Sequence, residues 1–312
     1  EGSHFVNVER ETSVISIPSV QEGPLTDSYT YNSPLPSILE ANKNEPCILG
    51  VDEAGRGPVL GPMVYGVCYC PLSQYDEISK LGFVDSKTLK EDIREAHFQL
   101  IQSHENISWS VRIISPQDIS WNMLKKEKHN LNAQACNTTI HLINQVLSQG
   151  VNVTEIYIDT VGPPESYQAK LSSLFPGINI TVAKKADSLY PIVSAASICA
   201  KVTRDHILKK WKFVEKNLDL NKSFGSGYPS DPNTTEWLKN NIDPVFGFPR
   251  IMRFSWATCE TILEKDAVSV TWSEEAISQG PINRLFSRNE KKQEESTSRL
   301  FQDMNIKYVS EF

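Results

Sequence analysis

The chain has 312 residues, 39% of them hydrophobic and 22% charged, with a formal net charge of −7. Those proportions are ordinary for a globular protein, no apolar run approaches the ~20 residues a membrane-spanning helix needs, and the acidic balance argues against a nucleic-acid binder at the level of the whole chain. The six cysteines lack both the C-x-x-C spacing of a zinc or redox site and the density of a disulfide framework, so they read as reduced core thiols.

Residues 1–45 are rich in Ser, Thr, Pro and Glu and show no sustained periodicity, which predicts an irregular lead-in. Its opening, EGSHFVNVERE, has neither an initiator Met nor a basic-then-apolar signal pattern, so secretion is unsupported. The fold is expected to start near Cys47. CILGV reads as a buried strand and PMVYGVCYC as a second, the two forming a hairpin around GRGPVLG. Cys68 and Cys70 share one face of the second strand.

SKTLKEDIREAHFQLIQSH predicts a helix with Leu89, Ile93, Ala96 and Leu100 on its inner face and a capping box from Thr88 to Glu91. ISWSVRIIS alternates like a strand. LNAQACNTTIHLINQVLSQG has helical spacing through Leu131, Ala135, Leu142 and Val146, with Gly150 as its stop. TEIYID is a strand that ends at Asp159, where TVGPP breaks it, and INITVA is another that ends before Lys184. The stretch from Asp187 to Lys216 reads as one long helix with Pro191 in its first turn. Lys and Arg outnumber acids by five between Lys184 and Lys216, so a basic face can sit within an acidic chain; a solvated helix flank has the same signature. Beyond Phe224, GSGYPSDP is a turn, TTEWLKNNI and WATCETILEK are short helices, and the polar tail from 273 ends in LFQDMNIKYV.

The chemistry lies at the strand ends. Asp52 and Glu53 close the first strand, Asp159 closes a later one, and Asp187 follows a third. Taken singly, a strand-terminal Asp is more often a turn former or helix cap than a ligand, and only the constellation is informative. Brought side by side in one sheet, four carboxylates repel unless protonated or holding cations, and oxygen-only ligands suit Mg²⁺ or Mn²⁺ rather than zinc. A dinucleotide-binding reading of Gly55, Gly57 and Gly61 fails on spacing, on Pro58 and Pro62, and on the two acids that would repel a pyrophosphate.

The segments GVDEAGRGPVLGPMVYGVCYCP, DSKTL, YIDTVGPPESYQAKL, AKKADSLYPIVSAASICAKVTRD and GSGYPSDP together resemble type 2 ribonuclease H, most closely the branch of eukaryotic catalytic A subunits, from about Cys47 to Trp272. The resemblance implies an α/β fold: a ribonuclease H-like mixed sheet flanked by helices, with a smaller, mostly helical C-terminal part. It divides the chain into the lead-in 1–45, a catalytic domain 46–223, a helical part 224–272 completing the substrate site, and a tail 273–312 with a partner-docking segment. It further implies that Asp52, Glu53, Asp159 and Asp187 are the catalytic and metal-binding acids and that two Mg²⁺ or Mn²⁺ ions serve the site. The Gly55-Arg56-Gly57 backbone would read a ribose 2′-OH, Tyr228 would pack on the following sugar, and Lys87, Lys184, Lys185 and Arg204 would face phosphates. The implied activity is hydrolysis of RNA in RNA–DNA hybrids and cutting 5′ of single ribonucleotides in duplex DNA, leaving 3′-hydroxyl and 5′-phosphate ends. The implied setting is the nucleus, with the cytoplasm as a second location, in a heterotrimer with auxiliary B and C subunits. A binding or assembly subunit on the same fold without turnover is the alternative, and four intact acids favour the enzyme.

Overall fold

The computed structural model describes residues 17–83, 89–215 and 220–269. In chain order the elements are β1 (Tyr29–Asn32), α1 (Ser37–Ala41), β2 (Pro46–Ala54), β3 (Met63–Pro71), α2 (Tyr75–Ser79), α3 (Glu91–Ser103), β4 (Ser108–Ile114), α4 (Pro116–Leu124), α5 (Leu131–Ser148), β5 (Asn152–Asp159), α6 (Pro164–Leu174), β6 (Asn179–Ala183), α7 (Ala186–Leu189), α8 (Pro191–Lys209), α9 (Pro232–Asn240) and α10 (Ala257–Asp266). Among the described residues no helix is long and apolar enough to cross a membrane.

Six strands form one mixed sheet in the order β1-β4-β3-β2-β5-β6. The expected hairpin is present: β2 and β3 pair antiparallel from Cys47 opposite Pro71 to Ala54 opposite Val64. β5 joins the other side of β2 in parallel, and β6 follows β5 in parallel. Alternation along β2 divides the core between the two faces of the sheet. Ile48 packs on the side of α8 and α3, while Cys47, Leu49 and Val51 pack on the side of α5 and α6. On β3, Cys68 and Cys70 lie together on the α8 side, and all six cysteines are buried free thiols.

α8 sits unusually close to the sheet because β2 and β3 present glycines beneath it. A Cβ on Gly50 would stand 2.4 Å from the Ile192 carbonyl oxygen, and one on Gly66 would stand 2.5 Å from that of Ala196.

Four features differ from the sequence reading. The lead-in holds β1, paired antiparallel with β4, and α1, whose Leu39 is buried. α4 and α6 each begin with a proline in the first turn, α4 one residue after β4 and α6 behind the break that follows β5, so neither start is marked by apolar spacing. The long helix is two: Tyr190 is extended at φ −125°, ψ 113°, as the residue before Pro191 is pushed out of the helical region, so α7 ends and α8 begins anew. α8 also stops at Lys209, after which Trp211 turns into the core.

The fourth is the face of α3. Phe98 and Ile101 are its buried residues, whereas Ile93 and Ala96 are exposed. Arg94 and Glu95 turn inward because α8 offers them partners: Arg94 pairs with Asp205 at 3.2 Å and Glu95 meets His206 at 2.8 Å. Lys209 bridges Glu91 and Glu95. Thr88 of the expected capping box lies outside the described residues, and α3 opens at Glu91 behind Lys90 with no side-chain cap.

Gly66→Ala drives a methyl group into the α8 backbone, where no flexible side chain can yield. A loss of about 1–3 kcal/mol in urea unfolding is expected, with Gly162→Ala, whose added methyl would meet its nearest neighbour at 4.0 Å, lacking such a clash.

Candidate active site

Strand alternation places the acids. Asp52 shares the parity of Ile48 and faces α8, while Glu53 shares that of Leu49 and Val51 and faces α5 and α6. The parallel register sets Val51 beside Ile158, so the next residues, Asp52 two positions before the end of β2 and Asp159 at the end of β5, stand side by side. Asp187 is one helical turn past β6, and the amide of its neighbour Ala186 donates to Asp159 Oδ1 at 2.9 Å.

Asp52, Glu53 and Asp159 line a cleft of about 810 Å³ together with Gly55, Arg56, Gly57, Arg204 and Tyr228. Sequence reasoning singled out each of these eight. Asp187 is only 2% exposed and lies outside the lining. Lys184 and Lys185 are exposed elsewhere; Lys184 borders a separate groove along α6, and Lys185 adopts the left-handed conformation at φ 57° that turns the chain into α7. Lys87 lies outside the described residues. The positive charge between 184 and 216 is therefore dispersed, with Lys201, Arg204 and Lys209 at the cleft and Lys210 and Lys212 at another hollow.

Burial, then the charges of Glu53 and Asp159, raise the Asp52 carboxyl well above the usual aspartate range, opposed by Ser197 and Lys201. Asp52 Oδ1 accepts the Glu53 amide at 2.7 Å, whereas its Oδ2 is buried without a hydrogen-bond partner. The donors are all carboxylate oxygens, one is unsatisfied, and their mutual repulsion is what a hard divalent cation relieves. The chemistry of the set fits such a cation, although among the described residues no three of these side chains are already gathered into a cage.

The turn after β2 is held from behind. Gly55 takes φ +76°, and a Cβ there would strike the Arg204 side chain at 2.1 Å. A Cβ on Gly57 would meet the Tyr228 ring at 3.3 Å, so this glycine leaves the space between turn and ring open. Buried Arg253, which sequence reasoning missed, donates to three carbonyls: Gly55 at 2.6 Å, Arg56 at 3.1 Å and Gly61 at 2.8 Å. Trp256 Nε1 donates to the Gly57 carbonyl at 3.1 Å, and its ring lies 4.9 Å from the Arg253 guanidinium. Arg204 Nε donates to the Pro62 carbonyl at 3.2 Å. Arg253 and Trp256 do not line the cleft, and they hold the carbonyls of Gly55, Arg56, Gly57 and Gly61 from the protein side.

The guanidinium of Arg253 has no carboxylate partner among the described residues; burial, then the neighbouring Arg204 charge, hold its pKa well below the usual arginine value. Tyr228 is 44% exposed on a loop fixed by Asp231, whose Oδ2 accepts both the amide and hydroxyl of Ser226 at 2.7 Å. The Gly227 carbonyl accepts the Val59 amide at 2.8 Å, tying this loop to the turn.

Residues 49–259 match the family model described as Ribonuclease HII. The chain is 54% identical to the A subunit of ribonuclease H2 of Homo sapiens over 245 residues, 78% of this chain and 81% of that one. It is 53% identical to the corresponding ribonuclease H2 A subunit of Arabidopsis thaliana over 229 residues, 73% and 77% of the two chains. Among solved structures, the ribonuclease H2 from Pyrococcus horikoshii superposes with a TM-score of 0.59 at 32% identity, covering 70% of this chain and 98% of that one.

With its pKa raised, Asp52 keeps a proton in the fold that the unfolded chain has released, so its contribution to stability falls as pH rises above the ordinary aspartate range. Without added metal, Asp52→Asn should gain on the wild type between about pH 5 and about pH 8 in denaturant melts. Arg253→Met leaves three carbonyl oxygens unpaired and should cost at least about 3 kcal/mol, against about 0.5 kcal/mol or less for Lys184→Ala, both read from urea midpoints.

Proposed function

The chain belongs to the ribonuclease HII family and is a ribonuclease H, and from that premise we propose that it cuts RNA–DNA hybrids and duplex DNA on the 5′ side of an embedded ribonucleotide. The observation that carries this reading is the pairing of a carboxylate cluster with a turn whose carbonyls are pinned away from the substrate side. Asp52, Glu53, Asp159 and Asp187 are assigned as the acids of the reaction and the holders of two divalent cations, Mg²⁺ or Mn²⁺. When bound, such ions offset the charge of the acids, lower the pKa of water and stabilise a departing 3′ oxygen.

The chain's own residues supply recognition. Amides of the Gly55-Arg56-Gly57 turn face the ribose, where the 2′-OH distinguishes a ribonucleotide from its DNA neighbours. The exposed ring of Tyr228 stands across from Gly57 and packs on the following sugar. Lys201 supplies positive charge at the cleft. Arg204 is better assigned as a support of the turn that also adds positive potential, since burial and its carbonyl partners occupy it. Residues 224–272 complete the site, because Tyr228, Arg253 and Trp256 all come from them. The assembly assigned is a heterotrimer with auxiliary B and C subunits, supported by the relatives' shared description as the A subunit of ribonuclease H2. The compartment assigned is the nucleus, and the tail segment Leu300–Val309, outside the described residues, is assigned to partner docking.

Cleavage of a duplex bearing one ribonucleotide tests the reading. The wild type should cut it only with Mg²⁺ or Mn²⁺ present, leaving a 3′-hydroxyl, and Asp159→Asn should abolish the cut. Tyr228→Phe should keep most activity, while Tyr228→Ala should lose about a hundredfold in kcat and less on continuous RNA. An inert wild type with both ions and its auxiliary subunits would favour the assembly alternative.

A further inference from the structure

A second hollow of about 430 Å³ adjoins the cleft, sharing Glu53, Arg56, Asp159 and Val161 with it. Gly57, α8 and Tyr228 line only the cleft, whereas α5 and α6 line only the hollow. The shared acids thus stand between the two.

The unshared wall has a consistent chemistry. It includes Lys170, Asn132, Thr139, Ser166 and the phenols of Tyr65 and Tyr167, and it contains no carboxylate. Arg56 is steered to its edge by the Asn132 side-chain oxygen and, at 3.5 Å, by the Tyr65 hydroxyl. Thr139 is 1% exposed, and its hydroxyl is buried behind the wall beside the Tyr167 phenol. α6 enters the wall behind Pro163 with no side-chain cap, so its first amides also lack side-chain acceptors. Helix-start amides without side-chain acceptors, beside the two cations Lys170 and Arg56, describe a site for an anion.

We propose that this hollow is a subsite for the sugar–phosphate backbone of the strand upstream of the cut, the piece that leaves with the 3′-hydroxyl. The inference rests on the proposed function in one respect: the ribonucleotide lies at Gly55–Gly57 and the downstream sugar at Tyr228, so a strand continuing past the acids emerges on the side of α5 and α6. Lys170 meets an upstream phosphate there, and the α6 amides meet its oxygens.

Two duplexes separate this subsite from the active site, one with a single nucleotide upstream of the ribonucleotide and one with six. Wild type should show a KM about tenfold lower on the longer, the worth of one charge-assisted contact. Lys170→Gln should lose most of that advantage while kcat stays within about twofold and the short duplex is cut as by wild type, whereas Thr139→Val, altered behind the wall, should keep it. On the long duplex, the slope of log KM against log salt should flatten by about one for Lys170→Gln. Equal losses on both duplexes, or a full length advantage kept by Lys170→Gln, overturns the subsite and leaves the ribonuclease reading standing. A wild type that cuts neither duplex overturns that reading and the subsite with it.

Discussion

Backbone carbonyls held by buried guanidinium groups are the interaction on which the site depends. A peptide turn has both a donor and an acceptor edge, and only one can face a substrate. Arg253 and Arg204, aided by the Trp256 indole, take the acceptor edge of residues 55–62. Keeping two like charges close together in the interior is costly, which the depressed pKa of Arg253 reflects. The same pair projects positive potential through the turn toward the cleft, so one device both orients the donors and favours a polyanion in a chain whose net charge is −7.

The acids follow from a simpler constraint. Consecutive residues at a strand end diverge to opposite faces, so Asp52 and Glu53 reach the cleft from the α8 side and the α5 side respectively. Parallel pairing of β2 with β5 then adds Asp159 without any long side chain having to stretch. The tight seat of α8 over Gly50 and Gly66 brings Ser197 and Lys201 close enough to influence Asp52. Charge repulsion, strand parity and helix proximity are thus linked.

Much of this was legible in the sequence because strand ends followed by Gly and Pro are locally marked. The central strands, α5 and the three acids that line the cleft could be placed from periodicity and punctuation alone. The inner face of α3 was misread because apolar spacing counts Ile93 and Ala96 but is blind to Arg94 and Glu95 finding partners on α8. Lys184 and Lys185 lie next to Asp187 in sequence, yet a left-handed residue at 185 redirects the chain, and adjacency in sequence did not become adjacency at the cleft. Arg253 gave no signal, since its partners are carbonyls, which every residue has, nearly two hundred positions upstream.

That last separation has a temporal meaning. Gly55 and Arg253 are 198 residues apart, so a ribosome adding about 5–20 residues per second makes the turn roughly 10–40 seconds before the arginine that aligns it. Throughout that interval Asp52, Glu53 and the glycine turn already exist in the nascent chain, joined in turn by Asp159 and Asp187, beside its own messenger and without the clamp that orients the turn. The C-terminal position of Arg253 and Trp256 therefore works as a delay, withholding an organised cleft until nearly all of the described chain has been synthesised.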